Sequence, residues 1–317
     1  MTRSPIAART AAPKRPPLPC LLALPLLLLA SAPLLAQNAR TPPKGASMMD
    51  KGAQMMTADP AMKKMTHGQR VSVVEFVVGN MVYVLQHEMG HAQIAERNLP
   101  VLGGKDEDAA DVFATLSMLQ MGDVMSARVL EDAAMGWFLT ARRDEKAGNM
   151  LTFYDAHGLD RQRAYQIVCL MVGSDPAKFK RLADTSKLPA ERQNTCVADY
   201  KVATASWEQL LSPYRRKPDQ PKVDFEIVYG DAKGKLDVYA KAAKSMQLLE
   251  QLADNASTTY TWRAPLKLEL RSCGDVGARY DPFSRTIYLC YEMAADLAEV
   301  YNRFGSGMKA AATKPKR

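Results

Sequence analysis

Residues 71–97 read VSVVEFVVGNMVYVLQHEMGHAQIAER. The segment is apolar on almost every side over its first half and becomes polar toward its end, where Asn98 and Pro100 follow. Such a pattern predicts a helix that is buried over most of its length and reaches the surface near its C-terminus. We therefore expect the rest of the chain to fold around this helix.

Further helices are predicted after this segment, because aspartate or proline stands at each start and glycine at several of the ends. They cover residues 106–122, 123 to about 143, 160–173 and 189–211, with another opening at 174–176. Beyond residue 222, strand-like runs over 223–229, 266–271 and 286–290 are interspersed with helical spacing over 236–256 and from 291 to about 301. The prediction is an α+β fold that is predominantly α-helical, with the helix over 71–97 in a helical core and a smaller C-terminal α+β portion that bears a disulfide-bridged hairpin between Cys273 and Cys290.

The two ends of the chain have the composition of targeting and tail segments. An apolar run from Leu18 to Ala36 follows four basic residues and precedes every acid. This predicts a secretory signal peptide over residues 1–36 and a periplasmic or secreted protein. Residues 37–66 carry prolines and six methionines without apolar periodicity, which indicates a flexible leader, with Cu(I) binding through thioether sulfurs as the alternative. Residues 305–317 form a basic tail.

The middle of the chain divides at a stretch rich in proline and charge. Residues 67–212 are expected to form the helical region, and residues 213–222, PYRRKPDQPK, are expected to form a linker. Residues 223–304 would then form the C-terminal α+β region. Whether that region is a separate domain is left open, since its few strands could also complete a sheet within the first domain.

Composition excludes several classes of protein. The chain has 317 residues, 47% of them hydrophobic and 24% charged, which suits a folded protein rather than a disordered or multi-pass membrane protein. Loss of residues 1–36 would remove four basic residues and no acids, so the net charge of +8 would fall to +4. The remaining basic residues are scattered, so we expect no nucleic-acid binding. No membrane span is expected in the mature chain, and the oligomeric state is left open.

Four cysteines remain after the signal peptide, namely Cys169, Cys196, Cys273 and Cys290. An even number of cysteines in an exported protein favours two disulfides over free thiols. Three pairings exist, and the sequential one, Cys169 with Cys196 and Cys273 with Cys290, closes two short loops. A zinc site with four thiolates is the alternative, although none of the four lies in a CxxC pair.

Two of the four histidines lie in the five residues His87-Glu88-Met89-Gly90-His91. Positions four apart share one face of a helix, so both imidazoles can bind one metal ion while Glu88 points beside it toward a water molecule. This is the HExxH zinc signature. The alternative is a pair of ordinary histidines on a mostly buried helix.

A catalytic zinc site needs a third protein ligand and leaves its fourth position to water. Glu107 and Asp111 are four apart near the start of the next predicted helix, so one could bind zinc while the other orients an imidazole. Glu107 is the favoured ligand and Asp111 or His157 the alternatives, although acids are also favoured in the first turn of any helix. His157 and Tyr154 could instead stabilise an oxyanion, or could be a surface histidine and a packing aromatic.

Several motifs together resemble one bacterial family of exported proteins regarded as metallopeptidases and formerly labelled a domain of unknown function. They are HEMGHAQIAERNLPVLGGKDEDAAD (87–111), AAMGWF (133–138), FYDAHGLDRQRAYQIVCLMVGSDP (153–176) and RSCGDVGARYDPFSRTIYLCYEM (271–293). The similarity spans roughly residues 70–303. It implies zinc ligands at His87, His91 and Glu107, the general base at Glu88 and a supporting acid at Asp111, as in zinc peptidases with a glutamate third ligand. The chain departs from the family pattern at Gly277, where an asparagine is expected.

The expected function is that of an exported metallopeptidase with one Zn²⁺ per chain and a peptide or protein substrate. Zinc would activate a water molecule, with Glu88 as the general base. The alternative is a non-catalytic exported protein that uses the same site to bind a metal, or that serves as an interaction module. If the C-terminal strands form one wall of the cleft, Tyr280 or Arg279 could line the substrate groove; otherwise both are ordinary turn residues.

Overall fold

The computed structural model describes residues 44–305, so the predicted signal peptide and nearly all of the basic tail lie outside the described residues. The described chain forms ten α-helices and one four-stranded sheet, which confirms the predicted α+β, mainly helical class. The helices are α1 (Lys44–Met55), α2 (His67–Arg97), α3 (Asp106–Met121), α4 (Val124–Ala147), α5 (Asp160–Ser174), α6 (Lys180–Thr185), α7 (Ala190–Leu211), α8 (Asp237–Ser245), α9 (Leu248–Thr259) and α10 (Tyr291–Val300). The strands are β1 (Glu226–Tyr229), β2 (Lys267–Arg271), β3 (Ala278–Asp281) and β4 (Thr286–Cys290).

Helix α2 is the central element, as its apolar sequence predicts. Thr66 caps its first turn by accepting a hydrogen bond from the Gln69 backbone N–H, and Asn98 ends the helix in the left-handed conformation. Helices α1, α3, α4 and α10 and strands β3 and β4 all pack against α2. A helix surrounded in this way must be apolar on nearly every side, which explains why its sequence lacks a single apolar stripe.

Helix α3 approaches α2 closely at Gly90 and Ala110. A Cβ atom added at Gly90 would lie 2.9 Å from the Ala110 Cα and 3.2 Å from the Ala110 Cβ. These separations are shorter than ordinary van der Waals contact between carbon atoms. Glycine at position 90 therefore permits the short distance between the helices, and that distance places the first turns of α3 beside the two histidines of α2.

The sheet has the strand order β1-β2-β4-β3. Strands β1, β2 and β4 are parallel, and β3 runs antiparallel to β4 at the edge. Leu268 of β2 and Ile287 of β4 share one hydrophobic core with Val77 and Leu85 of α2. The sheet is thus held against the helix that carries the HExxH sequence, with β3 and β4 as the strands that contact it.

The described part of residues 37–66 is a packed helix and turn instead of the expected flexible leader. Three of its methionines are buried in the main core, namely Met49, Met56 and Met62. The Tyr239 hydroxyl also donates a hydrogen bond to Asp59 Oδ2 over 2.7 Å. The buried positions 49, 52, 53 and 56 follow helical spacing, but two of them are glycine and alanine, so the apolar pattern is weak in the sequence.

Three other elements differ from the sequence expectations. The turn-rich segment before residue 286 contains a strand, β3, which the sequence analysis did not predict. The helix expected over 236–256 is two helices, α8 and α9, because Gln247 between them has a φ of 53° that no helix accommodates. The helix expected to open at 174–176 begins as a turn and becomes helical only at Lys180.

Residues 213–222, which were expected to form a linker, contact other parts of the structure. Arg215 pairs with Tyr260 in an isolated antiparallel bridge. The guanidinium of Arg97, at the end of α2, lies 4.9 Å from the centre of the Tyr214 ring and 5.9 Å from that of Tyr260. These contacts attach the segment to both helix α2 and the C-terminal region.

Both disulfides follow the sequential pairing. Cys169 on α5 is bonded to Cys196 on α7, and Cys273 is bonded to Cys290 at the end of β4. The first bridge joins two packed helices, and the second closes the loop that leads into β3. Among the helices of the described residues, none has the length and apolar character needed to cross a membrane.

Candidate metal centre

Three side chains meet where α2 and α3 approach each other. His91 Nε2 lies 3.1 Å from His87 Nε2 and 3.2 Å from Glu107 Oε2, and His87 Nε2 lies 3.1 Å from the same oxygen. His87 and His91 are four apart on α2, and Glu107 lies in the first turn of α3. The three atoms thus form a nearly equilateral triangle whose corners are two imidazole nitrogens and one carboxylate oxygen.

The triangle has the size that one small divalent ion requires. Four ligands at about 2.0–2.1 Å from a tetrahedral zinc ion lie about 3.3 Å from one another. His87, His91 and Glu107 each offer one ligand atom within 4.8 Å of the others. A second group of this kind consists of Cys273, Cys290 and Glu292. Its two sulfurs are joined in a disulfide, so it offers no thiolate to a metal.

A buried ion pair orients His87. Its Nδ1 lies 2.8 Å from Asp111 Oδ1, and Arg163 on α5 donates two hydrogen bonds to the same carboxylate, over 2.7 and 2.8 Å. Burial raises the pKa of Asp111, but the hydrogen bonds from His87 and Arg163 outweigh it and hold the pKa at about 2. The ionised carboxylate accepts the Nδ1 proton, so Nε2 is left free to bind a metal.

The acid at position 107 is also held in its charged form. Hydrogen bonds from His157, and then from His87 and His91, keep the pKa of Glu107 well below its usual range. For His87, burial lowers the pKa, but hydrogen bonds to Asp111 and Glu107 raise it to about 9. The site therefore attracts positive charge strongly. Protons shared among these groups can supply that charge, and a divalent cation can replace the protons.

Asp111→Asn is expected to weaken zinc binding by about 10- to 100-fold, because the neutral amide supports the His87 imidazole less strongly and leaves Arg163 without its charge partner. Competition against a chromophoric chelator measures the affinity. Asp108→Asn, in the same helix turn, is the matched control, since the Asp108 carboxylate forms its ion pair with the exposed Lys105, at 3.7 Å. Equal zinc affinity in the two variants would contradict the role assigned to Asp111.

His157 is more exposed than the three residues of this group and contacts one of them. The loop between α4 and α5 carries it, and its Nε2 lies 2.9 Å from Glu107 Oε2. Its ring is stacked at 6.0 Å on that of His87. The hydrogen bond to Glu107 raises the pKa of His157 more than its partial burial lowers it. His157 is therefore within reach of the metal position, whereas Tyr154 of the same loop is exposed and makes no hydrogen bond with any described residue.

Glu88 is buried on α2 and contacts the edge strand of the sheet. Its Oε2 accepts a hydrogen bond from the Tyr280 backbone N–H over 2.7 Å. Burial raises the pKa of Glu88, and the nearby imidazoles and this hydrogen bond only partly offset the effect. Strand β3 thus fixes one oxygen of the Glu88 carboxylate. In the sequence, Glu88 directly follows His87.

Tyr280 is held at both its backbone and its side chain. Its hydroxyl donates a hydrogen bond over 2.7 Å to Oε1 of Glu96, which follows Glu88 by eight residues on the same helix. Arg285 pairs with the other carboxylate oxygen of Glu96. Strand β3 is therefore attached to α2 at two points. Arg279, the other residue considered for the groove, is exposed on β3.

Two features of the site were not found from the sequence. Arg163 lies on the buried face of α5 with Ala164 and Ile167, and a base among apolar residues at helical spacing indicates a buried acid nearby. That signal could have linked Arg163 to Asp111. The contact between Glu88 and Tyr280 had no such signal, because it depends on a backbone N–H and on a strand that was not predicted.

The fold and the site together define a mainly helical α+β protein in which two adjacent helices present a His–His–Glu group able to hold one metal ion. The chain belongs to a protein family described as "Putative metallopeptidase", whose sequence profile matches residues 48–211 and 231–314. The family membership indicated by the sequence motifs is therefore confirmed. No curated protein and no solved structure matches the chain.

Proposed function

We propose that the protein is an exported zinc-dependent metallopeptidase. The observation that carries the proposal is the triangle of His87 Nε2, His91 Nε2 and Glu107 Oε2, with edges of 3.1–3.2 Å, next to a buried glutamate. Nitrogen and carboxylate ligands of this number suit a catalytic zinc site with one open position. Membership of a metallopeptidase family supports a peptide or protein substrate.

The chain's own residues have distinct roles in this proposal. When bound, Zn²⁺ supplies Lewis acidity that polarises the substrate carbonyl and makes a water molecule more acidic. Glu88 takes the proton of the attacking water and delivers it to the leaving amine. The Tyr280 backbone N–H holds one Glu88 oxygen, so the other oxygen is the one available for proton transfer. His157 can donate a hydrogen bond to the oxyanion that forms at the carbonyl.

Export is part of the proposal. The sequence predicts a signal peptide over residues 1–36, and the two disulfides are of the kind that persist in oxidising compartments. A periplasmic or secreted location accommodates both features. The substrate would then be a peptide or protein outside the cytoplasm.

A non-catalytic metal-binding protein is the second candidate, and the position of His157 favours it. Its Nε2 is only 2.9 Å from Glu107 Oε2, so a small loop movement could make it a fourth ligand. A site closed by four protein ligands leaves no position for the attacking water. The two candidates therefore differ in what His157 does.

Zinc content measured by mass spectrometry, on protein purified from an oxidising compartment without chelator, tests both. We expect about one zinc per wild-type chain and almost none in His87→Ala, because two nitrogen ligands and one oxygen are needed to hold the ion. His157→Ala is expected to keep its zinc and to hydrolyse peptides more slowly. Loss of zinc from His157→Ala would instead support the closed site, and zinc absent from all three proteins would contradict both candidates.

A further inference from the structure

Large hydrophobic side chains that are exposed concentrate on two segments. Ten such side chains occur among the described residues, and six of them lie in residues 148–159 or 274–284: Met150, Leu151, Phe153, Tyr154, Val276 and Phe283. Met150, Tyr154 and Phe283 are each at least 90% exposed. Exposed apolar side chains that cluster in this way mark sites of interaction more often than chance placement does.

The first segment, residues 148–159, is the loop between α4 and α5, and it contacts the metal centre directly. His157 in this loop lies 2.9 Å from Glu107, and Asp155 accepts a hydrogen bond from the His157 backbone N–H over 2.9 Å. An extended chain spans at most about 3.6 Å per residue, so the Cα of Tyr154 lies within about 11 Å of the Cα of His157. The loop that carries these exposed side chains therefore also supplies a residue that contacts the metal-binding group.

The second segment, residues 274–284, contains the edge strand β3. Tyr280 in its middle donates its backbone N–H to Glu88. Phe283 follows Tyr280 by three residues and Val276 precedes it by four, so their Cα atoms lie within about 11 and 14 Å of the Tyr280 Cα. The two apolar segments thus adjoin the candidate site at two different residues, Glu107 and Glu88.

We propose that these two segments bind the apolar side chains of an extended peptide, so that the substrates are unfolded chain segments rich in aromatic and aliphatic residues. The cleavage of such a substrate rests on the function proposed above, whereas its binding does not. Burial of apolar side chains from both partners supplies the affinity, because each one removes apolar surface from water. Folded proteins keep such residues in their cores, so an unfolded segment offers them most readily.

The charges on the two segments favour a peptide over a lipid surface. Within them Asp155, Asp275 and Asp281 stand against Arg279 and His157, and His157 is paired with Glu107. A segment that inserts into a bilayer is usually flanked by lysine and arginine that are free to attract anionic lipids. The arginines that follow the two segments, Arg161 and Arg285, are instead paired with Glu145 and Glu96. The excess of acids here would repel an anionic membrane, whereas it does not oppose a neutral or basic peptide.

The test measures peptide binding without turnover. The zinc-loaded full chain carrying Glu88→Gln is titrated, by fluorescence anisotropy, with two labelled ten-residue peptides. One contains phenylalanine, leucine and valine, and in the other serine, threonine and asparagine replace them. Met150→Ser combined with Phe153→Ser should weaken binding of the apolar peptide at least about fivefold, or about 1 kcal/mol. Binding of the polar peptide should be weak and unchanged.

Val202→Ser is the matched control, because Val202 is an apolar side chain, 67% exposed, on helix α7 and outside both segments. It should change binding of the apolar peptide less than twofold. Equal binding of the two peptides, no binding of either, or an effect of Val202→Ser as large as that of the loop variant would overturn the proposal. So would sedimentation with phosphatidylglycerol vesicles that is lost in the loop variant while peptide binding is unchanged.

The same experiment separates this inference from the proposed function. If the apolar peptide binds in a loop-dependent way but the wild-type protein never cleaves it, the substrate inference stands and the peptidase proposal fails. If the wild-type protein cleaves both peptides equally and the loop variant behaves like wild type, the peptidase proposal stands and the inference fails.

Discussion

Replacement of Glu88 by glutamine is expected to reduce peptide hydrolysis about a thousandfold while one zinc ion remains bound per chain. General acid–base catalysis contributes about 10²- to 10⁴-fold to the rate, and an amide can neither take the proton from water nor return it to the amine. Glutamine is nearly the same size as glutamate, and its Oε1 can still accept the hydrogen bond from the Tyr280 backbone N–H. The variant therefore removes the proton transfer and leaves the three metal ligands in place.

The measurement is the initial rate of cleavage of a quenched fluorescent peptide, normalised to zinc content. Glu75→Gln is the matched control: Glu75 lies on the same helix, and its carboxylate pairs with Arg128 at the surface over 2.6 Å. Its rate of hydrolysis should stay within about twofold of the wild-type rate, because a partly exposed ion pair contributes little. Unchanged hydrolysis in Glu88→Gln would exclude the proposed role of Glu88, and loss of zinc from it would show that Glu88 supports the site in another way.

The group of residues able to hold a metal could be predicted from the sequence because its parts are local. His87 and His91 lie four apart on one helix, and a helix apolar on all sides must be buried, so both the face and the surroundings of the pair follow from spacing. Glu107 and Asp111 also lie four apart, at the start of a helix that begins at Asp106 as predicted, although no side chain caps it. Which acid is the ligand was left open, because that depends on how α3 is rotated against α2.

The parts that were missed depend on contacts between distant segments. Strand β3 is only four residues long and lies between turn residues, so local propensity does not reveal it. Its identity as a strand comes from pairing with β4 and from the attachment of Tyr280 to Glu88 and Glu96. Helix α1 was missed for a related reason. Its buried positions, Met49, Gly52 and Ala53, follow helical spacing, but two of them are small residues, and their burial comes from α2 and α8 far along the chain.

The distance between α2 and α3 is set at Gly90, and Gly90→Leu is expected to test this directly. The first carbon of the leucine side chain would lie 2.9 Å from the Ala110 Cα, which is backbone and cannot rotate away. The helices must then move apart, at a cost of about 3 kcal/mol in the free energy of unfolding. Glu107 and Asp111 would move with α3, so zinc affinity should fall at least about tenfold.

Gly68→Leu is the matched control for this variant. Gly68 lies on the same helix, and a Cβ atom added there would have no neighbour within 4 Å. Leucine has a higher helix propensity than glycine by up to about 0.8 kcal/mol, so Gly68→Leu should stabilise the protein slightly and leave zinc affinity unchanged. The two substitutions are chemically identical, so opposite signs in urea unfolding would isolate the effect of the helix contact from that of propensity.

Gly90→Ala provides a graded version if the leucine variant does not fold. Alanine brings its Cβ to the same 2.9 Å from the Ala110 Cα but adds none of the further leucine atoms. The helices must therefore move apart less, so the protein should fold and bind zinc with an affinity between those of the wild type and Gly90→Leu. A gain in stability with unchanged zinc affinity in Gly90→Ala would mean that α3 can move without disturbing the ligands. The glycine in this HExxH sequence would then serve helix packing alone, whereas the expected loss of affinity makes it the residue that brings Glu107 to the two histidines.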